Sequence, residues 1–333
     1  MEVTDRTLLR LGDLRSNVNL EPLPAMTVQK HALSEGDVAV VEVLPSDLPP
    51  VRYKGRVWIR VGPSRRAANQ QEERLLGERR ISALQSFDAR PCLDAAAEDL
   101  ALGQFVNTYL PAAVAPDIIE ENDRSLVEQL ASLRFYDYRT DTPTNAAILL
   151  FGKDPLRWLP GAWIQFVRWD GDTMGADVLE QRQFSGDLVT VLRELDAFVP
   201  TLVHSHPVSD SALRERNATD FPIIAIRELL LNAVMHRTYE SNAPVHLYWF
   251  TDRIEIQSPG GLYGMASPEN FPSRTDYRNP VVAEAMATLG YVNRFGRGVV
   301  RAQEALLQNG NPPAAFELAD PASVLSVIPS KTT

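Results

Sequence analysis

The most informative segment of the chain is residues 223–236, Ile-Ile-Ala-Ile-Arg-Glu-Leu-Leu-Leu-Asn-Ala-Val-Met-His. Most positions are apolar, whereas Glu228, Asn232 and His236 follow one another at intervals of four residues. In a helix this spacing places the three polar side chains along one stripe. A carboxylate among apolar neighbours is costly unless it is paired or faces a wet cavity, so the pattern predicts a stripe that lines a site. The helix alone leaves a second reading open, an exposed polar face on an ordinary amphipathic helix.

Two glycine-rich loops follow this helix. Residues 245–250 and 254–257 read as strands joined by a three-residue turn, so a β-hairpin is predicted between the helix and the first loop. The loops are Ser258-Pro259-Gly260-Gly261 and Gly296-Arg297-Gly298, the second directly before an apolar helix. Glycines ahead of a helix let backbone N–H groups approach an anion, whose charge the helix N-terminus favours. Taken separately, each loop is equally typical of a turn or a helix cap.

The remaining predicted elements alternate between strands and helices. In chain order they are strands at 37–43 and 56–61, a charged helix at 69–80, helical segments at 93–110 and 123–133, a strand at 161–167, a helix at 187–199, helices at 280–289 and 299–308, and a strand at 324–328. The strand at 37–43 is expected to be largely buried because it is short and β-branched. His204 and His206 fall in a predicted loop and lack a convincing third metal ligand.

The charge balance disfavours a protein that coats itself with nucleic acid. The chain of 333 residues carries 33 basic and 43 acidic residues, a formal charge of -10. The densest basic stretch comprises Arg56, Arg60, Arg65, Arg66, Arg79 and Arg80, and acidic residues interrupt it. We interpret this stretch as a solvated surface rather than a nucleic-acid groove, so binding to DNA or RNA is expected to be weak.

Cysteine usage and hydropathy suggest a cytoplasmic location. Cys92 is the single cysteine, which excludes an internal disulfide and a thiolate-rich zinc site and fits a reducing compartment. No stretch approaches the ~20 apolar residues that span a bilayer, and the chain opens on Met-Glu-Val-Thr-Asp instead of a basic and then apolar leader. We therefore expect neither secretion nor membrane insertion.

The order of these motifs resembles the GHKL (Bergerat-fold) ATPases, the group of the DNA gyrase ATPase subunit, MutL-type repair proteins, Hsp90-type chaperones and sensor histidine kinases. The residues that carry the resemblance are Arg227-Glu228 with 232–237, 252–256 with 258–262, and 278–280 with 294–298. They are most similar to a divergent bacterial branch labelled as transcriptional regulators or ATP-binding proteins. In that branch the domain follows a Schlafen/AlbA-type domain.

Two upstream segments also resemble this branch. Residues 53–62 are similar to the last strand of a Schlafen/AlbA-type domain, and residues 144–155 to the junction that follows it. The chain lacks the early acidic strand of that domain, which counts against nuclease activity. The implied fold class is α+β: a partial Schlafen/AlbA-type α/β domain at 1–85, a helical connector at 86–135, and a GHKL-like α/β sandwich of a mixed sheet with helices on one face at 136–333.

The resemblance also implies roles for individual residues. Asn232 is expected to offer an oxygen to Mg²⁺, Glu228 to act as general base and His236 to line the phosphate side. Ser258 stands near the place of the acidic residue that usually reads adenine, and Gly260 and Gly261 would let the chain pass close to the base. The remaining loop residues, expected to wrap the phosphates, are Gly296, Arg297 and Gly298.

The resemblance therefore implies a protein that binds ATP with Mg²⁺ and acts as a transcriptional regulator or a defence-related switch. Slow hydrolysis of ATP and binding without hydrolysis both remain open, because Ser258 replaces the usual acidic residue and Asn293 and Thr238 also depart from the branch. The alternatives are a non-catalytic regulatory protein with a protein partner or a second copy of the chain, and a nucleic-acid-binding Schlafen-like protein.

Overall fold

The structure is a computed structural model that describes residues 3–16, 20–21, 26–33, 36–43, 50–61, 64–74, 76, 86–211, 214–273, 276–293 and 296–331. The chain divides into two compact units, Met1–Gln85 and Ser86–Thr333. Segment 86–135, predicted as a separate connector, falls within the second unit. Both units combine helices with β-sheets, and the larger sheet is mixed. The α+β fold class predicted from the sequence is therefore confirmed.

The first unit contains helix α1, a further helical stretch at 70–74 and two antiparallel sheets. Its elements are α1 (Asp5–Ser16), β1 (Leu20–Glu21), β2 (Met26–Leu33), β3 (Gly36–Val43), β4 (Arg52–Tyr53), β5 (Arg56–Val61) and β6 (Ser64–Ala67). The sheets have the orders β1-β4-β5-β6 and β2-β3. The strands predicted at 37–43 and 56–61 coincide with β3 and β5. Residues 70–74 of the predicted charged helix are helical, and its last residues, 77–80, lie outside the described residues.

The predicted burial of β3 is wrong. Val40 and Val43 are 44% and 54% exposed, and Val38 and Val41 are also open to solvent. Within the described part of the chain β3 pairs only with β2, in register from Met26 opposite Val43 to Leu33 opposite Gly36. The β-branched composition therefore reflects strand propensity in a two-stranded hairpin and does not indicate burial.

The second unit is built around a six-stranded mixed sheet. Its strands are β9 (Ile164–Trp169), β10 (Val178–Phe184), β13 (Val245–Trp249), β14 (Arg253–Pro259), β15 (Ala315–Glu317) and β16 (Ser323–Pro329), in the order β10-β9-β13-β14-β16-β15. Only β9 and β13 run parallel; the other neighbours are antiparallel. Residues on β13 and β14 alternate between buried and partly exposed, so one face of the sheet contributes to the core.

Helices supply the rest of this core. They are α2 (Leu102–Gln104), α3 (Leu110–Ala113), α4 (Pro116–Glu120), α5 (Leu126–Ser132), α6 (Asn145–Phe151), α7 (Leu188–Leu202), α8 (Ile223–His236), α9 (Pro280–Thr288) and α10 (Gly298–Asn309). A π-helical turn, Phe105–Tyr109, lies between α2 and α3. The central helix α8 packs on β14 and against α10. Nine of its fourteen residues are buried, as its apolar composition predicts.

Aromatic packing explains why segment 86–135 belongs to the second unit. Phe105 and Tyr109 of the π-helical turn meet Phe135 and Phe151 in edge-on contacts, with Phe135 and Phe151 centred 5.1 Å apart. All four rings are at most 3% exposed. Such pairs contribute about 0.5–1.5 kcal/mol each beyond the area they bury. The segment is thus part of the core and not a spacer.

Several strands of the second unit are absent from the predicted elements. The loop predicted around His204 and His206 contains instead β11 (Ser205–Ser211), which pairs with β12 (Arg214–Thr219). Strand β10, which the sequence did not predict, pairs along its length with β9. The short strands β7 (Tyr136–Asp137) and β8 (Thr142–Pro143) also pair. None of the helices in the described ranges is both long and apolar enough to cross a bilayer.

Candidate functional site

One cavity in the second unit brings together eight of the nine residues predicted for the site. It lies between α8, the end of β14, the segment after β14 and the beginning of α10. The predicted residues that line it are Glu228, Asn232, His236, Ser258, Gly260, Gly261, Gly296 and Gly298. Arg297 does not line it: this residue is exposed and precedes α10, where its carbonyl accepts a hydrogen bond from the Arg301 backbone N–H at 2.9 Å.

Glu228 is buried, although its neighbour on the stripe, Asn232, is only partly so. The Glu228 side chain is 7% exposed; its Oε1 forms an ion pair with Arg301 Nη1 at 2.7 Å and accepts a hydrogen bond from Arg227 Nη2 at 3.3 Å. An exposed polar face would leave this carboxylate in solvent. Burial with two guanidinium partners instead matches the rule that buried charges are paired.

The beginning of α10 approaches this stripe through Gly298. A Cβ atom at position 298 would lie 3.1 Å from Glu228 Oε2, 3.2 Å from Asn232 Nδ2 and 3.4 Å from Asn232 Oδ1. A larger side chain at this position would require the ends of the Glu228 and Asn232 side chains to shift. The glycine therefore brings the backbone N–H groups of the α10 N-terminus next to the polar stripe, where an anion is favoured.

Ser258 also lines the cavity, near the end of β14. Its hydroxyl donates to the carbonyl of Ala233 at 3.0 Å, and the residue is 6% exposed. A serine hydroxyl has one proton and two lone pairs. Because the proton is committed to Ala233, Ser258 can face a ligand only as an acceptor.

Gly260 and Gly261 are required by packing within the protein itself. Gly260 has a φ of 92°, in the left-handed region that favours glycine, and a Cβ there would lie 3.0 Å from the Thr238 side chain. A Cβ on Gly261 would lie 2.9 Å from the Pro321 carbonyl oxygen. These contacts explain both glycines without a ligand, while the two residues still form part of the cavity wall.

His236 ends α8 and forms an aromatic wall with Tyr277. The two rings stack with centroids 5.6 Å apart and planes 13° from parallel. Burial, followed by the positive charge of Arg278, lowers the pKa of His236 to about 4, against a smaller opposing effect from the Asp276 backbone. The imidazole is therefore neutral at neutral pH, so it can line a phosphate site as a neutral group but adds no positive charge.

Arg278 and Asn279 donate hydrogen bonds to carbonyl groups at the end of α8, and Arg278 also donates to the first glycine loop. Arg278 donates from Nε to the carbonyl of His236 at 3.2 Å and from Nη2 to that of Gly261 at 2.9 Å. Asn279 Nδ2 donates to the carbonyls of Met235 and Arg237 at 3.0 and 2.8 Å. Carbonyls in the last turn of a helix lack partners within the helix, so these side chains satisfy them.

Sequence reasoning missed three residues of this site, Arg301, Asp276 and Tyr277. Arg301 lies on α10 one turn after Gly298, a spacing that could have identified it as a partner of the stripe. Asp276 and Tyr277 line the cavity. The Asp276 carboxylate accepts from the Met265 backbone N–H at 2.6 Å, so it shapes the segment after β14. Asp276 and Tyr277 lie in a loop without hydrophobic periodicity, so no sequence pattern predicts their place in the site.

The donor set fits a Mg²⁺ ion that is bound chiefly through a ligand's phosphates. Glu228 Oε2 and Asn232 Oδ1 converge on the space that Gly298 leaves open, and oxygen is the donor that Mg²⁺ prefers. In the ranges described, no three His, Cys, Asp or Glu side chains are grouped so that they could hold a metal ion by themselves. A magnesium ion with one or two protein oxygens, phosphate oxygens and water is compatible with this arrangement.

Comparison with known proteins identifies an ATPase-like region and a shared fold. Residues 242–327 match the family described as "Putative ATP-dependent DNA helicase recG C-terminal", which fits an ATPase-like domain. The match includes the β13–β14 hairpin, both glycine loops and α10, but begins after α8. No curated protein matches the chain.

A solved structure with a similar fold is that of the DIP2311 protein from Corynebacterium diphtheriae. Its TM-score to this chain is 0.57 and the two sequences are 22% identical. The similarity covers 96% of this chain and 63% of that protein, so the chain spans less than two thirds of its relative's length. At this identity the likeness establishes the fold alone.

Proposed function

We propose that the second unit binds ATP together with Mg²⁺ in the cavity between α8, β14 and α10. The observation that carries the proposal is the convergence on one cavity of a buried polar stripe, a hydroxyl acceptor and a glycine-opened helix N-terminus. The ATPase-like match over residues 242–327 supports it. A cavity with mainly apolar walls and a few convergent polar groups is the usual form of a ligand site.

Ser258 favours adenine over guanine in this proposal. Its proton is held by Ala233, so the base edge that meets it must bring a donor. The 6-amino group of adenine is such a donor, whereas guanine carries a carbonyl oxygen at that position. A carbonyl facing the Ser258 lone pairs would leave two acceptors together, which costs about 1–3 kcal/mol for a buried group.

The phosphates would lie at the beginning of α10. Its backbone N–H groups donate to an anion, and its dipole favours negative charge. Asn232 contributes an amide oxygen directly beside this helix end. Magnesium, when bound there, neutralises phosphate charge. Neutral His236 completes the cavity wall next to Tyr277. Because it carries no positive charge, it does not repel a magnesium ion bound nearby.

Binding is favoured over rapid hydrolysis. Glu228 is the carboxylate on the stripe, and therefore the proposed general base, but its Oε1 is already engaged by Arg301 and Arg227. A general base must reach the proton that it abstracts. We therefore propose a nucleotide-binding regulatory domain in which the ligand acts as a switch and hydrolysis is slow.

The test is a titration of the full chain with Mg·ATP, Mg·ADP and Mg·GTP, read by melting temperature. ATP at 100 times its dissociation constant should stabilise the native state by about 2.7 kcal/mol if only that state binds. GTP should require a concentration about tenfold higher or more for the same shift, because of Ser258. No shift with any nucleotide at millimolar concentration would disprove the proposal.

A further inference from the structure

The two carboxylate oxygens of Glu228 have different neighbours. Oε1 lies 2.7 Å from Arg301 Nη1 and 3.3 Å from Arg227 Nη2. Oε2 faces Gly298, whose added Cβ would lie only 3.1 Å away. In this arrangement Oε1 is engaged by guanidinium groups, whereas Oε2 lies beside Gly298 and Glu228 lines the cavity. Oε1 can accept a proton from an attacking water only after the Arg301 guanidinium has moved away.

The two arginines differ in what they connect. Arg227 precedes Glu228 on α8 and moves with it, whereas Arg301 belongs to α10, the helix that begins at the proposed phosphate site. The Glu228–Arg301 contact is therefore a link between the polar stripe and the phosphate-binding helix end. Arg301 is 35% exposed and Glu228 only 7%, so separating them leaves the buried carboxylate with Arg227 as its remaining cationic partner, which opposes opening of the pair.

We propose that Arg301 is a positioning residue for Glu228: it holds the carboxylate away from a bound nucleotide, so that the chain binds ATP without rapid hydrolysis. This inference rests on the proposed nucleotide-binding function. Hydrolysis then requires separation of Arg301 from Glu228, which frees one carboxylate oxygen to accept a proton from water. Binding does not require that separation, because Asn232 and the α10 backbone remain available while the pair is closed.

The experiment compares binding and turnover in variants of the full chain. Arg301→Gln removes the charge that holds Glu228, and Arg301→Met removes it while keeping an apolar stem for packing. Both should raise the single-turnover hydrolysis rate of saturating Mg·ATP by about 10- to 100-fold, a part of the roughly 10²–10⁴-fold that a fully positioned base contributes. The dissociation constant of Mg·ATP should change by less than about threefold, so the effect appears in the rate and not in affinity.

Three further variants separate positioning from general damage. Arg301→Lys keeps a charge near Glu228 and should stay close to the wild-type rate. Combining Arg301→Gln with Glu228→Gln should abolish the gain, since the released base is then missing. Arg193→Gln makes the same chemical change at an exposed arginine on α7 and should leave rate and affinity unaltered. An unchanged or lower rate in both Arg301→Gln and Arg301→Met, with affinity retained, would overturn the proposal.

A double-mutant cycle tests the pair independently of nucleotide. Urea unfolding of the wild type, Arg301→Gln, Glu228→Gln and the double variant should give a coupling of about tenfold or more in the unfolding equilibrium constant. Coupling below about twofold would show that Arg301 does not hold Glu228. If wild type and variants bind no nucleotide while the coupling is present, the proposed function fails and the Glu228–Arg301 link stands.

Discussion

Side chains at equal spacing on α8 have unequal surroundings, and these surroundings decide what each can do. Glu228 is buried against guanidinium groups, Asn232 lies beside the first residue of α10, and His236 stacks on Tyr277. A buried charged group is constrained by its partner, whereas a partly exposed amide is free to meet a ligand. We therefore propose that Asn232 takes part in binding and that the role of Glu228 depends on Arg301.

Asn232→Ala should weaken Mg·ATP binding because it removes an amide oxygen that lies beside the beginning of α10. We expect the dissociation constant to rise by about tenfold or more, the effect of losing a hydrogen bond to a charged partner. Glu228→Gln should change affinity far less, but should reduce any residual turnover by about 10²–10⁴-fold. Isothermal titration and a single-turnover assay measure the two effects.

The control for this prediction is Asn107→Ala, which removes the same amide from an exposed position outside the cavity. It should bind like the wild type. If Asn232→Ala and Glu228→Gln both bind and turn over nucleotide as the wild type does, the α8 stripe is not the nucleotide site.

His236 should make stability depend on pH below neutrality. Its pKa is lowered to about 4 in the folded chain from an ordinary value of 6.5, so the unfolded chain binds more protons between these values. Stability is then fully present above pH 6.5 and decreases as the pH falls toward 4. Between pH 7 and pH 5 the wild type should lose about 2 kcal/mol that a His236→Gln variant does not lose.

Urea unfolding of both proteins at pH 7, 6 and 5 measures this difference. Carboxylates titrate equally in the two proteins, so their contribution cancels. The same substitution at the exposed His204 removes a histidine without altering the cavity wall and serves as the control. Parallel pH profiles for wild type and His236→Gln would show that the imidazole is not held neutral by burial.

At the level of elements, prediction succeeded where a periodic apolar pattern was present. Helix α8 and the hairpin of β13 and β14 lie close to their predicted bounds because burial of one face imposes a period on the sequence. Strand β10 was missed because all but one of its seven residues are exposed, so no alternation of buried residues marks it in the sequence. Its pairing with β9 stabilises it. Strand β11 was missed because it contains serines and a proline.

The beginning of α9 depends on a residue far away in the sequence. Asp88 Oδ2 accepts from the backbone N–H groups of Val281 and Val282 at 2.7 and 2.9 Å, and Ser86 donates to Oδ1 at 2.5 Å. Burial raises the pKa of Asp88, although these donors oppose the rise. Asp88 therefore acts as a helix N-cap supplied from outside the helix, which no local capping pattern predicts.

Asp88→Ala should lower the free energy of unfolding by about 2–4 kcal/mol, because two buried N–H groups lose their acceptor. Asp88→Asn should cost about half as much, since an amide oxygen can still accept from one or both groups. Urea denaturation compares the two variants with the wild type. Equal losses in both would indicate that charge and not hydrogen bonding matters; a loss below about 1 kcal/mol for Asp88→Ala would contradict the cap.

At the scale of the whole chain, the sequence predicts more than one compact unit but does not predict to which unit each segment belongs. Length indicates more than one domain, and the chain does divide after Gln85. The membership of segment 86–135 could not be predicted, because it depends on contacts such as Phe105 with Phe151 and Asp88 with Val281. Proximity of this kind arises from tertiary packing and leaves no periodicity in the sequence.

The net charge of the whole chain predicts weak binding to nucleic acid. A formal charge of -10 repels a polyanion at long range. Within the first unit, Arg66 of the arginine-rich stretch pairs with Glu72 at 2.6 Å, and Arg52, which precedes the stretch, pairs with Glu73 at 2.7 Å. Each guanidinium must exchange its carboxylate for a phosphate, so little is gained on contact.

We therefore expect a dissociation constant of about 10⁻⁴–10⁻⁵ M for duplex DNA or RNA at physiological salt, with affinity falling steeply as salt is added. Fluorescence anisotropy at several salt concentrations measures both quantities.

Glu72→Gln tests the cause directly, because it releases Arg66 and removes one negative charge, so binding should tighten. The control, Glu304→Gln on the exposed surface of α10, removes the same charge without releasing an arginine. A submicromolar dissociation constant for the wild type would mean that the arginines of the first unit form a nucleic-acid surface despite their carboxylate partners. Equal affinities for Glu72→Gln and Glu304→Gln would mean that net charge alone, and not the Arg66 pairing, limits binding.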